Sequence, residues 1–431
     1  MSGAMEPSEE TLEHSTSGGW LVTIAAASIG MLLGILYAWS VIRSAIPASW
    51  GWSEADKALP YSVAFFVFAL TMVPAGRLQD RLGPRLGSSL SGVMCGLGCL
   101  ISGLSGPWLP GFVMGFGVLT GAGIGFGYAA VTPAAVKWFP PHRTGLIAGI
   151  VVAGFGLAPV LIAPVSSALL HRFATTSPSG VVELGVSQTL LSLGVATIVL
   201  VSALSLLIRN PVRRDSAVVA GSLASPQSEP TEAAQPPRGL LRDARFWLLW
   251  AMYFAGGAAG LTFISVAQDL GKRSLGEWAF LAVVVLGVGN SGGRILGGLL
   301  SDRWGRHSTL FAAFVAQSAV VGALFVMGQF SVGEWPLTLA VLVGLGLNYG
   351  ANLSIFPAIC KDYYGLEKFG FNYGILFTSW GSAGLLMPWL YGQIGDRLGG
   401  YDLAYALIVG LLLMAAALTL LSRRWGAPSS S

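Results

Sequence analysis

The chain has 431 residues, of which 54% are hydrophobic and only 10% charged, and its mean hydropathy is +0.69. A water-soluble domain carries about 25% charged residues, so this chain has too few charges to cover a globule in water. Its length allows two or three soluble domains; its composition excludes them and leaves a membrane protein.

Residues 1–19 are polar, contain Glu6, Glu9, Glu10 and Glu13, and lack a basic stretch ahead of a short apolar run. They read as a disordered cytoplasmic tail and not as a signal peptide. Apolar runs follow at roughly 20–47, 58–77, 86–106, 109–136, 145–170 and 186–208. About 20 residues at 1.5 Å per residue cross a hydrocarbon core. Backbone groups in lipid must hydrogen-bond within their own segment, so each run is a helix. Residues 209–245 contain a Ser-, Pro- and Ala-rich stretch and read as a cytoplasmic linker. Six more runs lie at roughly 246–268, 278–300, 308–329, 335–360, 371–393 and 403–422, before a tail at 423–431. The expectation is an all-α membrane protein with twelve transmembrane helices in two six-helix bundles, residues 20–208 and 246–422.

Charge then orients the chain. Of the 24 Lys and Arg, five fall on one side: Lys57, Arg172, Lys272, Arg273 and Arg397. Two, Arg43 and Arg294, lie within spans, and the other 17 fall on the side that carries both termini. Cytoplasmic loops hold the excess of Lys and Arg, so both termini are expected in the cytoplasm of a bacterial inner membrane. The same bias explains the pI of about 9.0 without any nucleic-acid partner.

The sequence also repeats. Gly76-Arg77-Leu78-Gln79-Asp80-Arg81-Leu82-Gly83 stands between spans two and three, and Gly298-Leu299-Leu300-Ser301-Asp302-Arg303-Trp304-Gly305 between spans eight and nine. Two copies on one face imply two like-oriented bundles. Their Asp and Arg, Asp80 with Arg81 and Asp302 with Arg303, are expected to latch a cytoplasmic gate. A weaker copy, Gly392-Gln393-Ile394-Gly395-Asp396-Arg397, follows span eleven on the other face.

One charge stands out. Arg294 lies about 7–8 Å from the middle of the eighth span, where insertion of an Arg costs at least about 2.5–3.5 kcal/mol. No Asp or Glu lies mid-span to neutralise it, and Asn290, one turn earlier on the same face, can hydrogen-bond but cannot. The missing counter-ion is expected to be the substrate, a carboxylate that a guanidinium binds in bidentate geometry. Aromatic and amide side chains complete the expected pocket: Tyr37 and Trp39 in span one, Tyr128 in span four, Tyr349, Asn352 and Phe356 in span ten, and Phe377 and Trp380 in span eleven. A Tyr hydroxyl can bond a carboxylate while its ring packs the apolar end. His14, His142, His171 and His307 are read in tails or loops, so no catalytic base, metal or cofactor is expected. An enzyme is not expected, and a solute-sensing receptor is the alternative of another class.

Gly34-Ile35-Leu36-Tyr37-Ala38-Trp39-Ser40, Lys137-Trp138-Phe139-Pro140 and Gly289-Asn290-Ser291-Gly292-Gly293-Arg294 resemble the oxalate/formate antiporter branch of the major facilitator superfamily. The last also resembles the neighbouring monocarboxylate transporter family. The resemblance implies a secondary transporter working by alternating access; a monomer is expected, and two departures from the family pattern bear on the substrate. In oxalate exchangers span eleven carries a Lys that holds a dianion together with the span-eight Arg; here Phe377-Thr378-Ser379-Trp380-Gly381 places Trp380 at that point. One interior cation balances one carboxylate, so a lactate-, pyruvate- or formate-like monocarboxylate is expected. Animal monocarboxylate transporters place an Asp four residues before the Arg and a Lys in span one, where this chain has Asn290 and Val41. The resemblance implies proton symport, and these two positions leave anion exchange open.

Overall fold

The computed structural model describes residues 9–139, 143–176, 182–211, 240–330, 335–365 and 369–422. The first helix, α1, runs as Glu9–Leu33, tightens into a 3-10 turn at Gly34–Ala38, and resumes as Trp39–Arg43. Then come α2 (Glu54–Leu82), α3 (Pro84–Ser105), α4 (starting at Leu109 and ending at Val136), α5 (Thr144–Arg172) and α6 (Val186–Ser205). The second half consists of α7 (Ala244–Leu275), α8 (Phe280–Trp304), α9 (Arg306–Phe330), α10 (Trp335–Tyr364), α11 (Phe369–Leu398) and α12 (Asp402–Ser422).

Among the described residues, eleven helices are both long and apolar enough to cross a membrane. The twelfth, α11, has 30 residues but is less apolar, because Asn372, Tyr373, Thr378, Ser379 and Trp380 interrupt it. It packs chiefly against α2 and α7. Two differences from expectation concern the ends of segments. No Gly or Pro interrupts residues 9–17, and the first helix starts at Glu9, inside the stretch expected as tail. The α5–α6 connection carries a two-residue antiparallel pair, Thr175–Thr176 with Val182–Glu183. Residues 1–8, 423–431 and most of the expected linker (212–239) lie outside the described residues.

Alternation of twelve helices brings the start of α1 and the end of α12 to one face, the near end; the opposite face is the far end. The two motif copies share a backbone solution at the near end. Gly83 joins α2 to α3 with φ 81° and ψ 165°, and Gly305 joins α8 to α9 with φ 85° and ψ 152°. An L side chain disfavours that conformation, which is why each copy ends in glycine.

Small residues set the distances between helices, as they do where no hydrophobic force separates protein from lipid. A Cβ on Gly293 of α8 would lie 2.0 Å from the Leu347 carbonyl of α10, and one on Gly350 of α10 would lie 2.0 Å from the Asn290 carbonyl of α8. The two backbones therefore touch, and α8 is held where it carries Asn290 and Arg294. The halves themselves meet along two seams. Gly381 of α11 sits on Ala69 of α2, and Gly156 of α5 sits on Ser291 of α8.

Candidate functional site

Arg294 projects from α8 toward the N-terminal half. Its Nη1 donates to the Val152 carbonyl of α5 at 2.8 Å, and its Nε donates to Asn290 Oδ1 at 3.4 Å. The first bond crosses between the halves; the second, at the long limit of the range, lies within one turn. No carboxylate among the described residues pairs with this guanidinium, which lies within electrostatic reach of the Tyr37, Tyr128, Tyr349 and Tyr253 hydroxyls. Asn290 is fully buried, and its Nδ2 donor is left without a bond. A buried, unpaired donor beside an unneutralised cation suits an anion that accepts from both.

Around this pair the aromatic side chains form two tiers. In the central tier, Trp380 Nε1 donates to Tyr349 Oη at 3.0 Å, and the Tyr349 and Tyr37 hydroxyls lie 3.4 Å apart. These three side chains come from α11, α10 and α1, and all are buried, so the tier is closed upon itself. Phe65 and Phe68 of α2 close its sides, with ring centroids 4.8 and 5.5 Å from Trp380. Tyr128 is set 4.9 Å from Phe155 of α5 and 5.6 Å from Phe68. In the second tier, Phe356 stacks on Tyr253 of α7 at 4.3 Å, and Phe377 stacks on Trp380 at 4.5 Å.

Two expected site residues turn elsewhere. Trp39 packs on Phe116 and Phe112 of α4, at 4.6 and 6.0 Å, inside the N-terminal half. Residues two apart do not share a helix face, so Tyr37 faces Tyr349 while Trp39 faces away. Asn352 donates to the Asn348 carbonyl at 2.9 Å and to Gln317 of α9 at 3.5 Å, and its amide lies against Gly256 of α7. It is buried in the C-terminal bundle, off the surface that faces the other half. Tyr61, Phe65 and Phe68 were missed by the sequence reading, although their i, i+4, i+7 spacing on α2 marks one face.

The expected gate residues divide. The side chains of Asp80 and Arg81 lie outside the described residues. Asp302 pairs with Arg306, which also holds Asp362 of α10 at 3.0 Å. That network stays within the C-terminal half, and Arg303 is exposed beside it. Polar bonds between the halves concentrate instead at the far end. Arg43, 3% exposed, pairs with Glu54 of α2 and Asp269 of α7. Asp396 of α11, from the third motif copy, accepts from the Glu54 and Ala55 amides that open α2, at 2.8 and 2.9 Å. Below them Tyr61 donates to the Leu261 carbonyl of α7 at 2.9 Å. The far end is thus shut above the central tier. A cavity of about 730 Å³ lies outside this closure and not around Arg294.

The Oxalate:formate antiporter of Oxalobacter formigenes is 26% identical over 415 residues, covering 94% of this chain and 92% of that protein. Human Monocarboxylate transporter 11 is 26% identical over 411 residues, covering 92% and 81%. Among solved structures, an inward-facing, unoccupied bacterial homologue of the human lysosomal transporter Spinster superposes with a TM-score of 0.69 at 18% identity, covering 94% of this chain and 97% of that one. The family model of the Major Facilitator Superfamily matches residues 19–388, and with two six-helix halves meeting around a half-buried arginine the chain belongs to that superfamily of membrane transporters.

Proposed function

We propose that the protein moves small monocarboxylates, of the lactate, pyruvate or formate type, across a bacterial inner membrane by alternating access. The observation that carries this is Arg294: a cation within a helical bundle, unpaired with any carboxylate among the described residues, beside the bond-free Nδ2 of Asn290. The substrate carboxylate supplies the missing charge, and the Tyr349 and Tyr37 hydroxyls supply further donors. Trp380 closes the apolar side where a second cation would be needed for a dianion. The near end is cytoplasmic on the Lys and Arg count, and the protein acts as a monomer.

The test is uptake of radiolabelled lactate, pyruvate, formate and oxalate into proteoliposomes. The monocarboxylates should compete with one another far better than oxalate or sugars do, and Trp380→Lys should shift preference toward oxalate. Tighter binding of oxalate than of every monocarboxylate would overturn the assignment. Substrate binding without any uptake would favour a solute-sensing receptor.

Coupling to protons is the mode proposed first, with the anion drawn in by an imposed inward proton gradient. Exchange of one anion for another is favoured by a specific residue, the neutral Asn290 beside Arg294, and by similarity to an antiporter. Uptake that follows internal anion loading and ignores a pH gradient would decide for exchange.

A further inference from the structure

The far face is poor in basic residues, yet three of its five Lys and Arg line one cavity. Lys57, Lys272 and Arg273 do so, above buried Arg43. Three of the four cations alternate with carboxylates. Lys57 holds Glu54 at 2.8 Å, Glu54 and Asp269 hold Arg43 between them, and Lys272 holds Asp269 at 2.9 Å. Asp402 is the third carboxylate of the lining.

The ion pairs of the closure need only Arg43 and its two carboxylates. With Asp402, that set would leave the cavity strongly negative and would repel an anion. Lys57, Lys272 and Arg273 reverse the sign, so that four cations face three carboxylates. Stability does not account for this excess, because solvent-exposed ion pairs contribute only about 0–1 kcal/mol, and Lys272 is 47% exposed. Arg43 also keeps a donor in reserve: its Nε is buried and has no bond. One wall is aromatic, with Tyr391 stacked on Tyr401 at 4.3 Å.

We propose that this cavity is a capture vestibule, a second, weaker binding site for small carboxylates arriving from outside, from which they pass to Arg294 when the far end opens. The proposal rests on the anion-transport reading and on the near end being cytoplasmic. A net excess of one sign of charge in a cleft raises the local concentration and on-rate of a ligand of the other sign, by about tenfold at the low end of the range, and salt screens the effect.

The test compares lactate entry from the two faces in right-side-out and inside-out vesicles, using Lys57→Gln/Lys272→Gln/Arg273→Gln and, separately, Arg273→Gln. At low ionic strength the triple variant should raise KM for entry from the far face about tenfold, with the maximal rate held within about a factor of two. Its KM for entry from the near face should not change. Wild-type KM from the far face should rise with salt, and that rise should vanish in the triple variant. Arg273→Gln, at an exposed position, should show the same asymmetry in smaller measure. Unaltered KM in both variants, equal impairment from both faces, or a salt-indifferent wild type would overturn the vestibule alone. A wild type that carries no carboxylate under any gradient would overturn the substrate assignment, and the vestibule with it.

Discussion

Arg294 reaches one oxygen on its own helix and one on the other half, Asn290 Oδ1 and the Val152 carbonyl. Neither neutralises it, and a charge-assisted hydrogen bond contributes about 1.5–3 kcal/mol, a large share of the binding of so small an anion. Arg294→Ala should therefore abolish lactate uptake while leaving a monodisperse protein, since the change removes an unpaired cation from a low-dielectric site. Arg294→Lys should also fail, because an ammonium lacks the planar fork. Wild-type uptake by Arg294→Ala, measured in proteoliposomes at matched protein content, would make Arg294 a purely structural tie between α5 and α8. Asn290→Asp tests the neighbouring position through pH. The new carboxylate would pair with Arg294 and exclude the substrate until protonated. Uptake by that variant should fall as pH rises and recover as pH falls, more steeply than in the wild type. A pH profile parallel to the wild type's would show that position 290 does not face the guanidinium during transport. Arg294 and Asn290 were legible from sequence because a charge inside an apolar run has few innocent explanations. Trp39 was not, because its orientation depends on the 3-10 turn at Gly34–Ala38, which shifts the phase of α1 just before it.

The pairing of α8 with α10 fixes where Arg294 stands. A methyl on Gly350 would meet the Asn290 carbonyl at 2.0 Å and the Arg294 amide at 3.0 Å, both backbone atoms that cannot turn aside. Gly350→Ala should force the helices apart and destabilise the protein by about 1–3 kcal/mol, the usual cost of overpacking. It should lower the thermal midpoint in detergent and weaken lactate binding together. Gly322→Ala in α9, where a Cβ meets nothing within 4 Å, is the control that should do neither. An unchanged midpoint for Gly350→Ala would mean that the α8–α10 contact is slack. Elements of this kind were legible in part. Hydropathy located the spans because each must be long and apolar to cross lipid, and it was weakest for α11, whose aromatic and polar residues face protein instead. Which glycines touch which backbone was not legible. That depends on crossing positions between helices such as α8 and α10, which hydropathy does not encode.

At the scale of the whole molecule, the closure of the far end joins residues far apart in sequence: Arg43 with Asp269, and the start of α2 with Asp396. A repeat visible in the sequence drew attention to Asp396, but only the folded arrangement puts its carboxylate on the α2 amides, because nothing local in either segment specifies the other. Alternating access requires these bonds to break when the far end opens. Arg43 keeps Glu54, on its own half, in either state, so Asp269 is the ligand it must give up. Asp269→Asn should therefore stabilise the open far end relative to the closed one. Every 1.4 kcal/mol of lost closure raises the ratio of far-end-open to far-end-closed molecules tenfold. A cysteine at Leu261, which is fully buried beneath the closure, reports this ratio in a background with Cys95, Cys99 and Cys360 replaced by Ala. A membrane-impermeant maleimide applied from the far side should label Leu261→Cys slowly in the otherwise unaltered protein and about tenfold faster with Asp269→Asn present. Saturating lactate should change the rate in both backgrounds, since substrate redistributes the two states. Equal labelling rates with and without Asp269→Asn would show that the Arg43–Asp269 pair does not hold the far end shut, and would leave Asp396 on the α2 amides as the contact to break next.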